Sequence, residues 1–101
     1  MAKSKKDAKK SAEKCAKSLP KGVEKGDWSK LNKSMADFLT VCNDWGNDDA
    51  KAVGKDLAKK SLLLLKKAEK GQLDEKKDGA ELATVLNAVR GLPKYIDKLK
   101  D

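Results

Sequence analysis

The sequence predicts an all-α protein, built as a four-helix bundle with up-down-up-down topology. Its 101 residues are rich in Ala, Leu and Lys, contain two Pro and have 4% aromatic side chains, a composition typical of helices. Apolar residues recur at steps of three and four along four segments, which is the spacing of one helix face. Short polar connections separate the segments and favour antiparallel neighbours, so we expect one domain over residues 1–101.

The first predicted helix is rich in Ala and Lys at its start, so residues 1–6 are expected to form a frayed basic N-terminus. Pro20 lies inside the helical pattern and lacks the N–H group that a helix interior needs, which predicts a kink. The expected core face of this helix consists of Ala8, Ala12, Cys15, Leu19 and Val23.

The second predicted helix follows a Gly-Asp turn. Gly26 suits the left-handed residue that ends a helix, and Asp27 can accept a hydrogen bond from the free N–H groups that begin the next one. Three of the four aromatic residues lie on the apolar face of this segment, so we expect it to form the centre of the core. That face consists of Trp28, Leu31, Met35, Phe38, Cys42 and Trp45.

The third predicted helix begins after Gly46, where Asn47 or Asp48 can cap it, and Gly71 ends it. Acidic residues in its first turn and Lys residues in its last turn complement the helix dipole. Its expected core face consists of Ala50, Val53, Leu57, Ser61, Leu64 and Ala68.

The fourth predicted helix follows a polar connection at residues 71–79, with Asp74 or Asp78 as its cap. Pro93 lies within the apolar pattern and predicts a second kink. In the up-down topology this helix packs beside the first one. Its expected core face consists of Leu82, Val85, Val89, Leu92, Ile96 and Leu99.

The charge of the chain favours an anionic partner. The formal net charge is +8, and residues 1–25 contribute nine Lys against three acidic residues, a net charge of +6. Arg90 is the only Arg, whereas proteins that read base sequence depend on Arg for bidentate contacts to guanine. We therefore expect non-specific attraction and no specific nucleic-acid recognition, with ordinary solvation of the Lys side chains as the alternative.

The composition excludes most catalytic chemistry. The chain has no His, which is the commonest general base and metal ligand, and two Cys cannot complete a tetrahedral zinc site. No Gly-rich phosphate-binding loop is present, and the acids Asp44, Asp48 and Asp49 fit helix capping better than a cation site. The sequence predicts a non-enzyme with no catalytic residue, no metal ligand and no cofactor.

The two cysteines, Cys15 and Cys42, both fall on predicted core faces. Counting outward from the Gly26 turn, they differ in height by about four residues, or ~6 Å along a helix. A disulfide requires Cα atoms within ~7 Å, so a bridge between these two residues is a candidate. The favoured alternative is a pair of free, buried thiols that lie near each other.

A short pair of motifs carries a resemblance to a known family. Leu19-Pro20 in the first helix is followed by Gly26-Asp27-Trp28 at the turn that opens the second, and in this the chain resembles the PsbQ-like extrinsic subunits of photosystem II. The remaining likeness lies in helix order, helix lengths, basic charge and a closing helix rich in Leu, Val and Ile. The chain is shorter than plant members and has no long arm beyond residues 1–7, so it is more similar to the algal type.

The resemblance implies a non-catalytic role without a bound cofactor. Members bind membrane-intrinsic and other extrinsic subunits of photosystem II and support the oxygen-evolving centre. It also implies a peripheral location in the thylakoid lumen, for a mature form without its transit peptide and without insertion into the membrane. No apolar run approaches the ~20 residues needed to span a bilayer. Without the resemblance, the expectation is a cytoplasmic Lys-rich bundle that binds nucleic acid non-specifically, or a small immunity-type protein that binds another protein.

The third predicted helix places an apolar residue on its outer side. At about 100° per residue, Leu63 points away from the predicted core face, and four Lys share its side of the helix. An exposed Leu surrounded by Lys is typical of a small docking patch, although single exposed Leu residues are also common. The predicted partner-binding residues are Leu63, Lys55, Lys59, Lys66 and Lys70, and, as a second choice on helix one, Lys6, Lys9, Lys10 and Lys14.

Overall fold

The computed structural model describes residues 3–74 and 76–100, and this part of the chain is all-helical. It contains five α-helices and no strand. The molecule measures 41 × 22 × 20 Å, so it is about twice as long as it is wide. The helices are α1 (Lys5–Lys25), α2 (Ser29–Trp45), α3 (Asp48–Glu69), α4 (Gly79–Arg90) and α5 (Leu92–Lys98).

The helices pack so that the last two lie against the first. The α1 helix packs most extensively on α2, α2 packs on α3, and α3 contacts α4. Both α4 and α5 contact α1, and most of that contact comes from α5. The last two helices therefore cover the part of the core that α2 and α3 leave open.

The second helix supplies the centre of the core, as its apolar spacing predicted. Leu31, Met35 and Phe38 are fully buried between α1 and α3, and Trp28 just before the helix is buried as well. Trp45 at the other end is half-buried. The remaining buried apolar side chains are Ala8, Ala12, Cys15, Leu19, Cys42, Ala50, Leu57, Leu64, Val85, Val89, Leu92 and Ile96.

The core face of α1 departs from the prediction at its C-terminal end. Val23 was expected in the core, but its side chain is 53% exposed and Gly22 is buried in its place. The cause is Trp28, whose indole ring lies directly over the α1 backbone. A Cβ atom on Gly22 would meet Trp28 Cε3 at 2.3 Å, so only Gly leaves room for the ring.

The segment that was predicted to form the fourth helix forms two helices, so the prediction of a single helix is wrong. The first, α4, ends at Arg90, and α5 begins at Leu92 with Pro93 in its first turn. Pro in a first turn has no hydrogen bond to lose, whereas inside a helix it breaks one. Gly91 separates the two helices, and Pro93 therefore produces a break where a kink was predicted. The α1 helix, by contrast, runs without interruption through Pro20, whose side chain is exposed.

Part of the segment that was predicted to fray is helical in this structure. The backbone N–H of Ser4 donates to Asp7 Oδ2 at 2.9 Å, and α1 begins at the next residue, so Lys5 and Lys6 are helical. The Lys5 ammonium donates to the carbonyl oxygen of Asp97 at 2.8 Å, which ties this end of α1 to α5. Residues 1 and 2 of the predicted segment lie outside the described residues.

Two predicted turns have the expected caps. Gly26 has a φ of 69°, and Asp27 Oδ1 accepts a hydrogen bond of 3.1 Å from the backbone N–H of Ser29 at the start of α2. Asn47 Oδ1 accepts a hydrogen bond of 3.0 Å from the N–H of Ala50 in the first turn of α3. These connections end and restart the helices where the sequence predicted.

Replacing Gly22 with Ala tests the contact with Trp28. Ala is the better helix former by about 1 kcal/mol, but overpacking typically costs about 1–3 kcal/mol, and the buried ring has little room to move. We expect Gly22→Ala to lower the free energy of unfolding, measured by urea titration. Gly79→Ala is the matched control, because nothing lies within 4 Å of a Cβ there. Equal or greater stability of Gly22→Ala would show that the ring does not lie on the glycine.

Candidate functional site

The outer side of α3 forms an exposed, basic and partly apolar surface. We call it the α3 surface and define it by Leu62, Leu63, Lys55, Lys59, Lys66 and Lys70, all of which are exposed. Leu63 is 51% exposed and Leu62 is 40% exposed. None of the four ammonium groups forms an ion pair with an acid in the described part of the chain, so their charge is available to a partner.

The position of Leu63 differs from the prediction in one respect. It does not point directly away from the core, because it lines a cleft of about 140 Å³ between α3 and α4. Leu64 and Val85 form the apolar floor of the cleft, and both are buried. The cleft is flanked by Lys60, Lys67 and Glu81. Leu63 is therefore the exposed lip of an apolar cleft that opens onto the α3 surface.

One end of this region is fixed by an ion pair that the sequence did not reveal. The Lys67 ammonium lies 2.6 Å from Asp78 Oδ1, and Asp78 Oδ2 accepts a hydrogen bond of 3.0 Å from the N–H of Asp74. Asp78 was predicted to cap the next helix, but its carboxylate, 12% exposed, instead ties the α3–α4 connection to α3. The hydrogen bond from Lys67 lowers the pKa of Asp78, and the same bond raises the pKa of Lys67.

The predicted Lys cluster on the first helix is divided between two sides of the molecule. Lys9 forms an ion pair with Asp97 of α5 at 3.0 Å, so its charge is already neutralised. Lys10 and Lys14 line a groove on the α2 side instead, and Lys6 is exposed. These four residues therefore do not form one docking patch.

A more concentrated basic site lies between α1 and α2, and most of it was not predicted. We call it the lysine groove, and it has a volume of about 390 Å³. The spacing 14, 17, 21 on α1 and 30, 33 on α2 was visible in the sequence, but only the packing of the two helices brings both sets together. The groove is lined by Lys14, Lys17, Lys21, Lys30, Lys33, Ser18, Ser34 and Asp37.

Two ammonium groups of the lysine groove are close enough to influence each other. The neighbouring Lys21 amine lowers the pKa of Lys30 below its ordinary value of 10.5, and the nearby carboxylate of Asp27 opposes that shift. A like charge held this near disfavours the protonated form. The two amines thus face the same groove, one from each helix.

The two cysteine thiols are buried and unreactive. Both are free thiols and both are buried, so the candidate bridge is not formed in this structure. Burial raises the pKa of Cys15 from 9.0 to about 12, with smaller contributions from Asp37 and Cys42. Burial also raises the pKa of Cys42 to about 11. At neutral pH both remain protonated, which makes them poor nucleophiles and poor metal ligands.

Other potential sites in the molecule are sparse. Among the residues that the structure describes, no group of three or more His, Cys, Asp or Glu is placed to hold a metal ion. Of the acids near the α2–α3 turn, Asp48 forms an ion pair with Lys51 at 3.7 Å. Within residues 3–74 and 76–100, no helix is long and apolar enough to cross a membrane.

Comparison with family models, curated proteins and solved structures finds no match to this chain. The function of the chain is therefore inferred from its two exposed basic regions, the α3 surface and the lysine groove. They lie on different helices and differ in chemistry, because only the α3 surface includes exposed apolar side chains.

The raised pKa of the Cys15 thiol predicts how the free energy of unfolding changes with pH. A thiol whose pKa rises from 9.0 in the unfolded chain to about 12 in the fold stabilises the protein below pH 9, and this contribution is lost as the pH rises from 9 towards 12. Between pH 8 and pH 10.5, wild type should lose roughly 1–2 kcal/mol more than Cys15→Ala in urea unfolding. Equal losses in the two proteins would contradict the burial of the Cys15 thiol.

The pairing of Lys21 with Lys30 can be tested by NMR titration of the lysine side chains. Replacing Lys21 with Gln removes the like charge, so the pKa of Lys30 should rise towards 10.5. Lys55→Gln, an equal charge change on α3, should leave the pKa of Lys30 where it was. If both variants leave that pKa unchanged, the two amines are not neighbours.

Proposed function

We propose that this chain is a non-catalytic docking subunit that binds an acidic protein surface. Its proposed partners are membrane-intrinsic and other extrinsic subunits on the lumenal side of photosystem II, where it supports the oxygen-evolving centre. The observation that carries the docking role is the α3 surface, in which exposed Leu62 and Leu63 lie beside four lysines that form no ion pair with an acid among the described residues.

The physical basis of this docking combines an apolar anchor with electrostatic steering. A few apolar side chains that become fully desolvated dominate the affinity of most interfaces, and charges around them speed association with a partner of opposite sign. Leu63 supplies such an anchor, and the adjoining cleft floor of Leu64 and Val85 gives a partner's apolar side chain a place to enter. Association of this kind weakens as salt screens the surface charges.

The choice of photosystem II depends on the sequence resemblance alone. The residues that carry this resemblance have defined places in the structure. Pro20 lies within a continuous α1, and the Gly26-Asp27-Trp28 turn places the Trp28 ring against Gly22.

We further propose that α4 and α5 together serve as the fourth arm of an up-down-up-down bundle, since both contact α1. The nucleic-acid-binding and immunity-type alternatives stay predictions.

The non-catalytic part of the proposal depends on what the chain can offer to a substrate. It has no His, and its two thiols have raised pKa values and are buried. General acid–base or nucleophilic catalysis requires a group that is poised near neutral pH and accessible to a substrate. The surfaces described above offer charge and apolar contact, which serve binding.

Rebinding to photosystem II membranes whose extrinsic subunits have been removed by a salt wash tests the proposal. Leu63→Asp should weaken rebinding about tenfold or more, because it places a charge in the anchor position. Val23→Asp is the matched control, since Val23 is exposed to almost the same extent, 53% against 51%, but lies on α1. The control should rebind as wild type does.

Charge reversal separates the steering effect from the anchor. Lys59→Glu combined with Lys66→Glu should slow association and flatten its salt dependence, whereas Lys17→Glu combined with Lys21→Glu makes the same net change away from the α3 surface. Equal effects would show that only the overall charge matters. Failure of wild type to rebind would refute the photosystem partner, and unchanged rebinding of Leu63→Asp would exclude the α3 surface as the docking site.

A further inference from the structure

The lysine groove has more positive charge than its surroundings neutralise. Five Lys against one Asp give its lining a net charge of +4. Some lysines elsewhere form ion pairs, such as Lys60 with Asp56 at 3.0 Å and Lys9 with Asp97 at 3.0 Å. Within the described residues none of the five groove lysines forms such a pair. The only acid in the lining, Asp37, also lines the next groove, beside Lys3 and Lys10.

The groove lies on the most extensively packed part of the fold. Its two walls are α1 and α2, whose contact is the largest between any two helices of the described chain. Ser18 in the lining is buried and donates a hydrogen bond of 2.6 Å to the carbonyl oxygen of Cys15, so its hydroxyl is fixed. Cys15 and Met35 are fully buried within the same helix pair. The lysine side chains therefore extend from a rigid base.

The arrangement of the charges favours a phosphate group over a carboxylate. A phosphate accepts hydrogen bonds through several oxygens and carries up to two negative charges, so one group can contact two ammonium groups at once. Lys21 on α1 and Lys30 on α2 line the same groove, and the Lys21 amine lies near enough to lower the pKa of Lys30. The groove contains no Arg, so its donors are ammonium groups, which bind phosphate as point charges.

The length and lining of the groove restrict the ligand further. From Lys14 to Lys21 the α1 wall is about 10 Å long. This is longer than a single phosphate group and matches a short chain of linked phosphates. No aromatic side chain lines the groove, so it offers no surface on which a base can stack. These features predict recognition of the phosphates alone.

We propose that the lysine groove is a binding site for a compact oligophosphate, distinct from the docking function of the α3 surface. Lys21 and Lys30 hold one phosphate group between them. Lys14, Lys17 and Lys33 contact the neighbouring groups, and the half-buried Ser34 hydroxyl lies within the same lining. Because binding depends on charge, affinity falls as salt concentration rises.

Isothermal titration calorimetry with sodium tripolyphosphate at low salt tests the proposal. Lys21→Gln combined with Lys30→Gln should weaken binding about tenfold, the equivalent of one charge-assisted hydrogen bond. Lys55→Gln combined with Lys59→Gln removes the same charge from the α3 surface and should bind almost as wild type does. Thermal unfolding of both variants checks that each remains folded. Equal losses in the two variants, or no binding by wild type, would overturn the proposal.

Further titrations distinguish the source of the phosphate. At matched phosphate concentration and salt, tripolyphosphate should bind more tightly than a DNA duplex or phosphatidylglycerol vesicles, and ATP should bind no more tightly than tripolyphosphate. Tighter binding to DNA or vesicles that survives the Lys21→Gln, Lys30→Gln change would assign the anion affinity to another surface and overturn the proposal. The same variant should rebind to photosystem II membranes normally, so the two proposals can fail independently.

Discussion

The contact between Trp28 and Gly22 determines much of this structure. The indole ring packs directly on the α1 backbone, and this is possible only because residue 22 has no side chain. The contact lies beside the turn that joins α1 to α2, so it helps to fix how far the two helices are displaced along each other. That register in turn decides which α1 lysines oppose Lys30 and Lys33, and it buries Cys15 and Met35 in the same layer.

The features that could be predicted from the sequence are those encoded by neighbours along the chain. The periodic face of α2 was predicted correctly because Leu31, Met35 and Phe38 repeat at helical spacing and all three are buried. The Gly26 turn was predicted from local backbone preferences. The choice between Val23 and Gly22 could not be predicted, since helical spacing permits either residue to face inward and a ring from outside the helix decides.

Long-range pairs account for the remaining differences. The Lys67–Asp78 ion pair and the lysine groove each join residues from two elements, and no spacing within one helix specifies them. The α3 surface was predicted because its lysines and Leu63 share one helix. Even there, the tilt of Leu63 towards the α4 cleft depends on where the next helix packs. Local pattern thus specified the helices, and packing between helices specified the lysine groove and the cleft beside Leu63.

The interruption at Gly91 leaves α5 as a short helix of seven residues after α4. An isolated helix of seven residues is far below the length at which helices are stable in water, so α5 owes its structure to its contact with α1. The amide protons of α5 should therefore exchange with solvent whenever that contact opens. They should exchange together, and not progressively from the C-terminal end of the helix. Such opening would uncover Leu92 and Ile96, which are buried in the closed structure, while the contact between α2 and α3 stays in place.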